Sequence, residues 1–245
     1  MVTGGSRGLG RAIAAALAAE GARVAICARD GEALRESAAA MAGDVLPVAA
    51  DMTSPEDQSA LLATVRERWG EPDVLVHNVG GNRRGKIWET SDEDWNAVLE
   101  LNLVSHVRLT RMAVPGMRER GSGSILFVAS IFGREAGGAG LGIYNATKSA
   151  LISMAKILSL ELAPDGIRVN SIAPGSIRFP GGSWDRRCRE QPEAMRELVA
   201  RNLPMGRFGT AEEIGEVAAF LVSDRASWIT GACLNVDGGQ SRSLI

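Results

Sequence analysis

The stretch Thr3-Gly4-Gly5-Ser6-Arg7-Gly8-Leu9-Gly10 decides the reading of this chain. It joins a short apolar run, Met1–Thr3, to Leu9–Ala19, where apolar residues recur at helical spacing. Glycines at such a junction let the backbone turn tightly and bring main-chain atoms close to a bound anion. The helix that follows turns free N–H groups and its positive end toward the same point. The junction therefore reads as a pyrophosphate cradle, with Gly4, Ser6, Arg7, Gly8, Leu9 and Gly10 as candidate contacts. The bland alternative is a glycine-rich turn without a ligand. Only three residues precede the glycines, which is short beside a usual strand of about 5–6 residues.

Outward from this loop, short apolar runs alternate with amphipathic stretches. The expected strands are Met1–Thr3, Ala22–Ala28, Val45–Ala49, Asp73–His77, Ser124–Ala129, Arg168–Ile172 and Cys233–Val236. The expected helices are Leu9–Ala19, Gly31–Met41, Pro55–Trp69, Asp92–Arg118, Ile143–Ala163 and Ala211–Val222. Strands alternating with helices predict an α/β fold, a Rossmann-type doubly wound parallel sheet of about seven strands with helices on both faces. Nothing reads as a linker or repeat, so residues 1–245 are expected to form a single domain. The one long irregular stretch is Ser176 to about Pro192, and a loop of that length in a compact domain is usually functional.

Composition narrows the function classes. A 45% hydrophobic, 23% charged chain is ordinary for a globular protein. A net charge of −2 gives no reason to expect nucleic acid or an anionic membrane as partner. No apolar run approaches the roughly 20 residues that span a bilayer, and Met1 leads into the glycine loop rather than a signal sequence. Cys27, Cys188 and Cys233 lie far apart, which reads as free thiols in a reducing cytoplasm. His77 and His106 make no local metal motif, and no metal is expected.

The end of the second strand bears on which dinucleotide would bind. Asp30 falls 20 residues past Gly10, where a spacing rule would seat an acid on the adenine ribose. The strand run Val24–Ala28 instead turns Ala28 to the ribose, followed by Arg29, and leaves Asp30 as a helix N-cap. Arg29 and Arg7 would then clamp a 2′-phosphate from two sides, favouring NADP(H), with NAD(H) possible. The alternative is that both arginines are solvated surface charges.

Tyrosine occurs once, at Tyr144, with Lys148 four residues later on the same helix face. A phenol near pKa 10 is a poor acid or base at neutral pH until a nearby cation favours its anion. Ser130 precedes the pair at the end of an apolar strand.

Together these features resemble the short-chain dehydrogenase/reductase family across essentially the whole chain, and broadly its 3-oxoacyl-carrier-protein reductases. The motifs are Thr3–Gly10, Asp51-Met52, His77-Asn78-Val79-Gly80, Asn102, Ser130, Tyr144-x-x-x-Lys148, Asn170–Gly175 and Val236–Gly239. The resemblance implies a nicotinamide-dependent oxidoreductase acting on an alcohol or carbonyl. It implies that Tyr144 exchanges the proton with the substrate oxygen and that Ser130 stabilises charge there. It implies that Lys148 binds the nicotinamide ribose and lowers the Tyr144 pKa, and that Asn102 holds a relay water. Asp51, Met52, Asn78, Gly80, Pro174, Gly175 and Ile177 are the further cofactor contacts it implies, and a homotetramer built on the Asp92–Arg118 and Ile143–Ala163 helices is the implied assembly. Two positions depart from the pattern. His77 replaces an asparagine and reads as a packed histidine. Phe179 stands where a threonine often contacts the cofactor.

The substrate is expected at Gly81–Trp88, Ile131–Ile143 and Ser176–Pro192, loops at the carboxyl ends of strands. Arg83, Arg84, Lys86, Arg134, Arg186, Arg187 and Arg189 would suit an anionic or thioester-carrier substrate, or else pair with Glu89, Glu135, Asp185 and Glu190 and only fix the loops. Other readings are an NAD-dependent dehydrogenase of a sugar, steroid or other secondary alcohol, and a dinucleotide sensor without turnover.

Overall fold

The computed structural model describes residues 1–244, and Ile245 lies outside them. Its frame is a parallel sheet of β1 (Val2–Thr3), β2 (Val24–Ala28), β3 (Val45–Ala49), β4 (Val74–His77), β5 (Gly123–Val128), β6 (Ile167–Pro174) and a last strand at Cys233–Val236. The order is β3-β2-β1-β4-β5-β6 followed by that last strand, every pairing parallel. The order reverses between β1 and β4, which opens a crevice at the strand carboxyl ends.

Both faces of the sheet are covered, which explains why its strands read as continuous apolar runs. Ala25, Cys27, Leu75, Ile125 and Phe127 face α3 (Pro55–Trp69), α5 (Ser105–Arg120) and α6 (Gly142–Leu162), meeting Leu61, Val65, Leu109, Met117 and Leu151. The alternate residues Val2, Val24, Ile26, Val76 and Leu126 meet Ile13 and Leu17 of α1 (Gly8–Ala19), Leu34 of α2 (Gly31–Ala39) and Ile214 of a late helix, Ala211–Val222. That late helix packs closely on α1. A Cβ at Gly215 would stand 2.7 Å from the Ala12 carbonyl oxygen, so only glycine allows the approach.

Two elements differ from the sequence-based reading. The expected single helix Asp92–Arg118 is divided into α4 (Asp92–Leu99) and α5 by a π-helical segment, Glu100–Val104. Such segments concentrate at functional sites, and a hydrophobic pattern is blind to one widened turn. The irregular stretch after Ser176 holds β7 (Ile177–Arg178) and α7 (Ser183–Glu190) and leads into α8 (Pro192–Asn202). β7 pairs with β8 (Gly209–Thr210), just before α9, the late helix; the last strand of the main sheet is then β9. Only Met195 of α8 is buried, so the apolar pattern there is too sparse to announce a helix.

Candidate active site

The glycine loop leaves β1 and wraps under the amino end of α1. A Cβ at Gly10 would overlap the Gly4 carbonyl oxygen and the Asn78 amide, so this position admits only hydrogen. Asn78 fastens the loop to the end of β4: its Nδ2 donates to the Thr3 carbonyl at 2.9 Å and to the Gly4 carbonyl at 3.3 Å. The Thr3 hydroxyl accepts from the Asn78 and Val79 backbone N–H groups at 2.9 and 3.2 Å. Thr3 and Asn78 thus act as clasps of the crevice as much as walls of it.

The amino end of α1 is left bare. Its N-cap, Arg7, makes no side-chain cap bond, and its first turn carries no acid. By contrast, Asp30, Ser54, Ser91 and Thr210 cap the helices that follow them. A helix start with uncapped N–H groups at the end of a glycine loop fits a pyrophosphate.

That end opens into a cleft of about 1210 Å³, room for a dinucleotide and a substrate together. Gly4, Ser6, Arg7, Gly8, Leu9, Arg29, Asp51, Met52, Asn78, Gly80, Ser130, Tyr144, Lys148, Pro174, Gly175 and Ile177 all line it. Of the candidate residues, Gly10 and Asn102 stand behind the wall. At the end of the cleft beside β2, Arg7 and Arg29 are exposed. The Asp30 carboxylate accepts from the Glu32 and Ala33 N–H groups, both at 3.1 Å, the expected N-cap geometry. Asp51 is held below the ordinary carboxylate range, first by the Thr53 N–H at 2.9 Å and more weakly by the Thr53 hydroxyl and the Arg29 charge.

At the opposite end, β5 delivers Ser130, whose hydroxyl accepts from the Phe132 N–H at 3.2 Å. Tyr144 and Lys148 come from the first turns of α6. Lys148 is buried and donates from Nζ to the Val128 carbonyl at 2.8 Å, and burial pushes its pKa down to about 8. Burial also pushes the Tyr144 phenol above its ordinary value, and hydrogen bonding with Ser130 is what pulls it back. The expected depression of Tyr144 by Lys148 is not seen in this geometry. The ammonium is committed to Val128 and stands 5.7 Å from the phenol ring centre.

Asn102 lies in the π-helical segment, fully buried. Its Nδ2 donates to the Gly81 carbonyl at 2.9 Å and to the Thr147 hydroxyl at 3.0 Å, while Oδ1 accepts from the Gly81 N–H at 2.8 Å. Both amide hydrogens are therefore engaged by protein groups. A Cβ on Gly80 would sit 3.3 Å from Asn102 Oδ1 and 3.4 Å from Lys148 Nζ, so Asn102 and Lys148 flank one glycine.

The two departures also find their places. His77 is fully buried, stacked on Phe127 and His106 with centroids 4.7 and 4.8 Å apart, and its Nε2 meets the Thr110 hydroxyl at 2.8 Å. Phe179 lays its ring over the glycine loop, 2.7 Å from where a Gly8 Cβ would be. Gln240, which no local pattern marked, lines the cleft and accepts from the Ser176 N–H at 2.7 Å. Among the described residues no cluster of His, Cys, Asp and Glu could hold a metal, and no helix is long and apolar enough to cross a membrane.

Comparison with known proteins agrees with this architecture. The family described as Enoyl-(Acyl carrier protein) reductase matches residues 4–241. The 3-oxoacyl-[acyl-carrier-protein] reductase of Thermotoga maritima is 36% identical over 242 residues, covering 98% of this chain and 96% of the relative. The dehydrogenase/reductase SDR family member 4 of Oryctolagus cuniculus is 36% identical, covering 100% of this chain and 94% of its own. The structure of L-sorbose reductase from Gluconobacter frateurii, complexed with NADPH and L-sorbose, superposes with a TM-score of 0.94 at 37% identity, covering 99% of this chain and 96% of the other. With its parallel sheet, its glycine loop and full-length relatives of this kind, the chain belongs to the short-chain dehydrogenase/reductase family of oxidoreductases.

Proposed function

We propose that this protein uses NADPH to reduce a ketone, a 3-oxoacyl thioester or another keto compound, to a secondary alcohol, with Tyr144 as the proton donor. The observation that carries this reading is the convergence of Ser130, Tyr144 and Lys148 on one end of the cleft into which the bare start of α1 opens. When bound, the nicotinamide supplies the hydride. The protein supplies the proton and the field around it. Tyr144, shielded and hydrogen-bonded with Ser130, stays protonated at neutral pH and delivers its proton to the substrate oxygen. The Ser130 hydroxyl donates to that oxygen as it gains charge. Lys148, buried beside Tyr144, is the residue that would hold the nicotinamide ribose when the cofactor is bound. Asn102 positions Gly80 and Gly81 against Lys148.

NADPH is favoured over NADH because Asp30 is engaged as an N-cap while Arg7 and Arg29 stand exposed at the β2 end. Exposed Ile157 and Leu160 on α6 and Val104 beside α5 support a homotetramer built on these helices, to be read by light scattering. The cytoplasm suits its free cysteines. The test follows NADPH oxidation by its near-ultraviolet absorbance across β-keto thioesters, diketones, keto sugars and steroids. Tyr144→Phe is expected to lower kcat by about 100-fold or more. Arg29→Ala is expected to cut the NADPH-over-NADH preference about tenfold, as loss of a charge-assisted hydrogen bond does. Undiminished turnover in Tyr144→Phe would overturn the assignment.

A further inference from the structure

The arginines at the substrate end divide into two groups. Arg83 binds Asp94 at 2.9 Å, Lys86 binds Glu89 at 3.0 Å, and Arg178 and Arg189 share Asp185 at 3.1 and 3.2 Å. Arg134 turns away to the Cys233 carbonyl and Asn235, at 2.9 and 2.8 Å. Glu135 accepts from Ser241 and the Arg242 N–H rather than from a cation. These contacts fix loops.

Arg84, Arg186 and Arg187 are different. All three line the cleft, and among the described residues none has an acidic partner. Arg187 is braced face-on against Trp184, 5.2 Å from the ring centre, and Trp184 in turn packs on Phe208. Among the described residues, the only acids lining the cleft, Asp30 and Asp51, stand beside Arg29. The loops around the cleft therefore present guanidinium groups with no acidic partner among the described residues, Arg84 and Arg186 exposed and Arg187 half-buried against Trp184, with Arg84 next to Gly85, which bridges to Leu141 just before Tyr144. A neutral ketone would leave them idle.

We propose that the carbonyl substrate is a small molecule bearing an anion, a carboxylate or a phosphate, which Arg84, Arg186 and Arg187 receive while the carbonyl faces Ser130 and Tyr144. This rests on the reductase reading. Guanidinium forks suit both anions, since each offers paired acceptor oxygens.

The test compares matched ketones in NADPH oxidation, acetoacetate against methyl acetoacetate and dihydroxyacetone phosphate against dihydroxyacetone. The two pairs separate carboxylate from phosphate. The charged member of at least one pair is expected to have a KM about tenfold or more below its neutral partner. That advantage should shrink with added salt. It should also vanish in Arg84→Ala and Arg186→Ala, read within each variant as the ratio of the charged to the neutral ketone's KM. Neutral ketones reduced as well as charged ones, or an advantage that survives both variants, would overturn the proposal while leaving the reductase standing. So would turnover confined to thioesters on a carrier protein, which would assign these arginines to a protein surface. Should no ketone be reduced, the reductase reading fails, and calorimetry with 3-hydroxybutyrate against its methyl ester on the NADP-loaded protein still decides. Binding confined to the acid and lost in the variants upholds the anion site, and equal or absent binding of both refutes it.

Discussion

At the scale of single residues, the cradle is built from hydrogen atoms where other proteins carry side chains. Gly10 lies against the Gly4 carbonyl and Asn78, whereas Gly138 faces open space with an ordinary backbone. Gly10→Ala is therefore expected to cost about 1–3 kcal/mol, as overpacking does, and to weaken NADPH binding. Gly138→Ala should change neither. Denaturant titration and cofactor fluorescence check both, and a Gly10→Ala protein that binds NADPH like the wild type would mean the loop has slack that its contacts deny. Spacing alone identified the glycines, but it was silent on why Asn78 matters. Only the folded chain brings Asn78 against residues 74 and 75 positions earlier.

At the scale of elements, the π-helical turn between α4 and α5 carries Asn102 into the interior. Removing its amide leaves the Gly81 N–H and carbonyl without their partner, a loss of about 1–3 kcal/mol for a buried group. Asn102→Ala should lower both Tm and kcat, the latter because Gly80 flanks Lys148. Thr147→Val removes one of the same bonds, so the two stability losses should combine to less than their sum. Strictly additive losses in calorimetry would show that the Asn102–Thr147 bond carries no weight. Asn102 had entered through a family pattern, without any local signal for its side-chain partners. The structure spends both its amide hydrogens on protein, because a turn widened by one residue swings the side chain toward Gly81 and Thr147.

For the molecule as a whole, the buried histidine pair between β4 and α5 sets an acid limit. Burial, with the Lys148 charge behind it, pushes His106 from 6.5 down to about 3, and burial and His106 push His77 well below its ordinary value. The unfolded chain takes up these protons near pH 6.5 and the folded one only far lower. The unfolded state therefore binds more protons across that window. Stability that is full above about pH 6.5 falls as the pH drops toward 3. His106→Phe should flatten that decline in melts taken between pH 7 and 4, at a neutral-pH cost of about 1 kcal/mol for the lost bond to the Val79 carbonyl. An unchanged acid slope would place the lability elsewhere.

Residue order by itself determined the alternating elements, the glycine loop, the Asp30 cap and the Tyr144–Lys148 pair, because these rest on local periodicity and on contacts within a turn or two. Only the tertiary structure decided three further matters. It divided the Asp92–Arg118 stretch at a π-turn, which leaves no hydrophobic signature. It spent Lys148 on Val128, so that burial rather than a neighbouring cation governs the Tyr144 phenol. It also sorted the arginines, pairing some with carboxylates and leaving Arg84, Arg186 and Arg187 in the cleft lining without an acidic partner among the described residues. For Lys148 the physical reason is long-range: Val128 at the end of β5 meets α6 only when the sheet and its covering helices are assembled at the crevice where the strand order reverses. The charge pairs are local in sequence but depend on backbone shape that residue order left unmarked, since Asp185 meets Arg189 one turn on only because this irregular-looking stretch folds as α7.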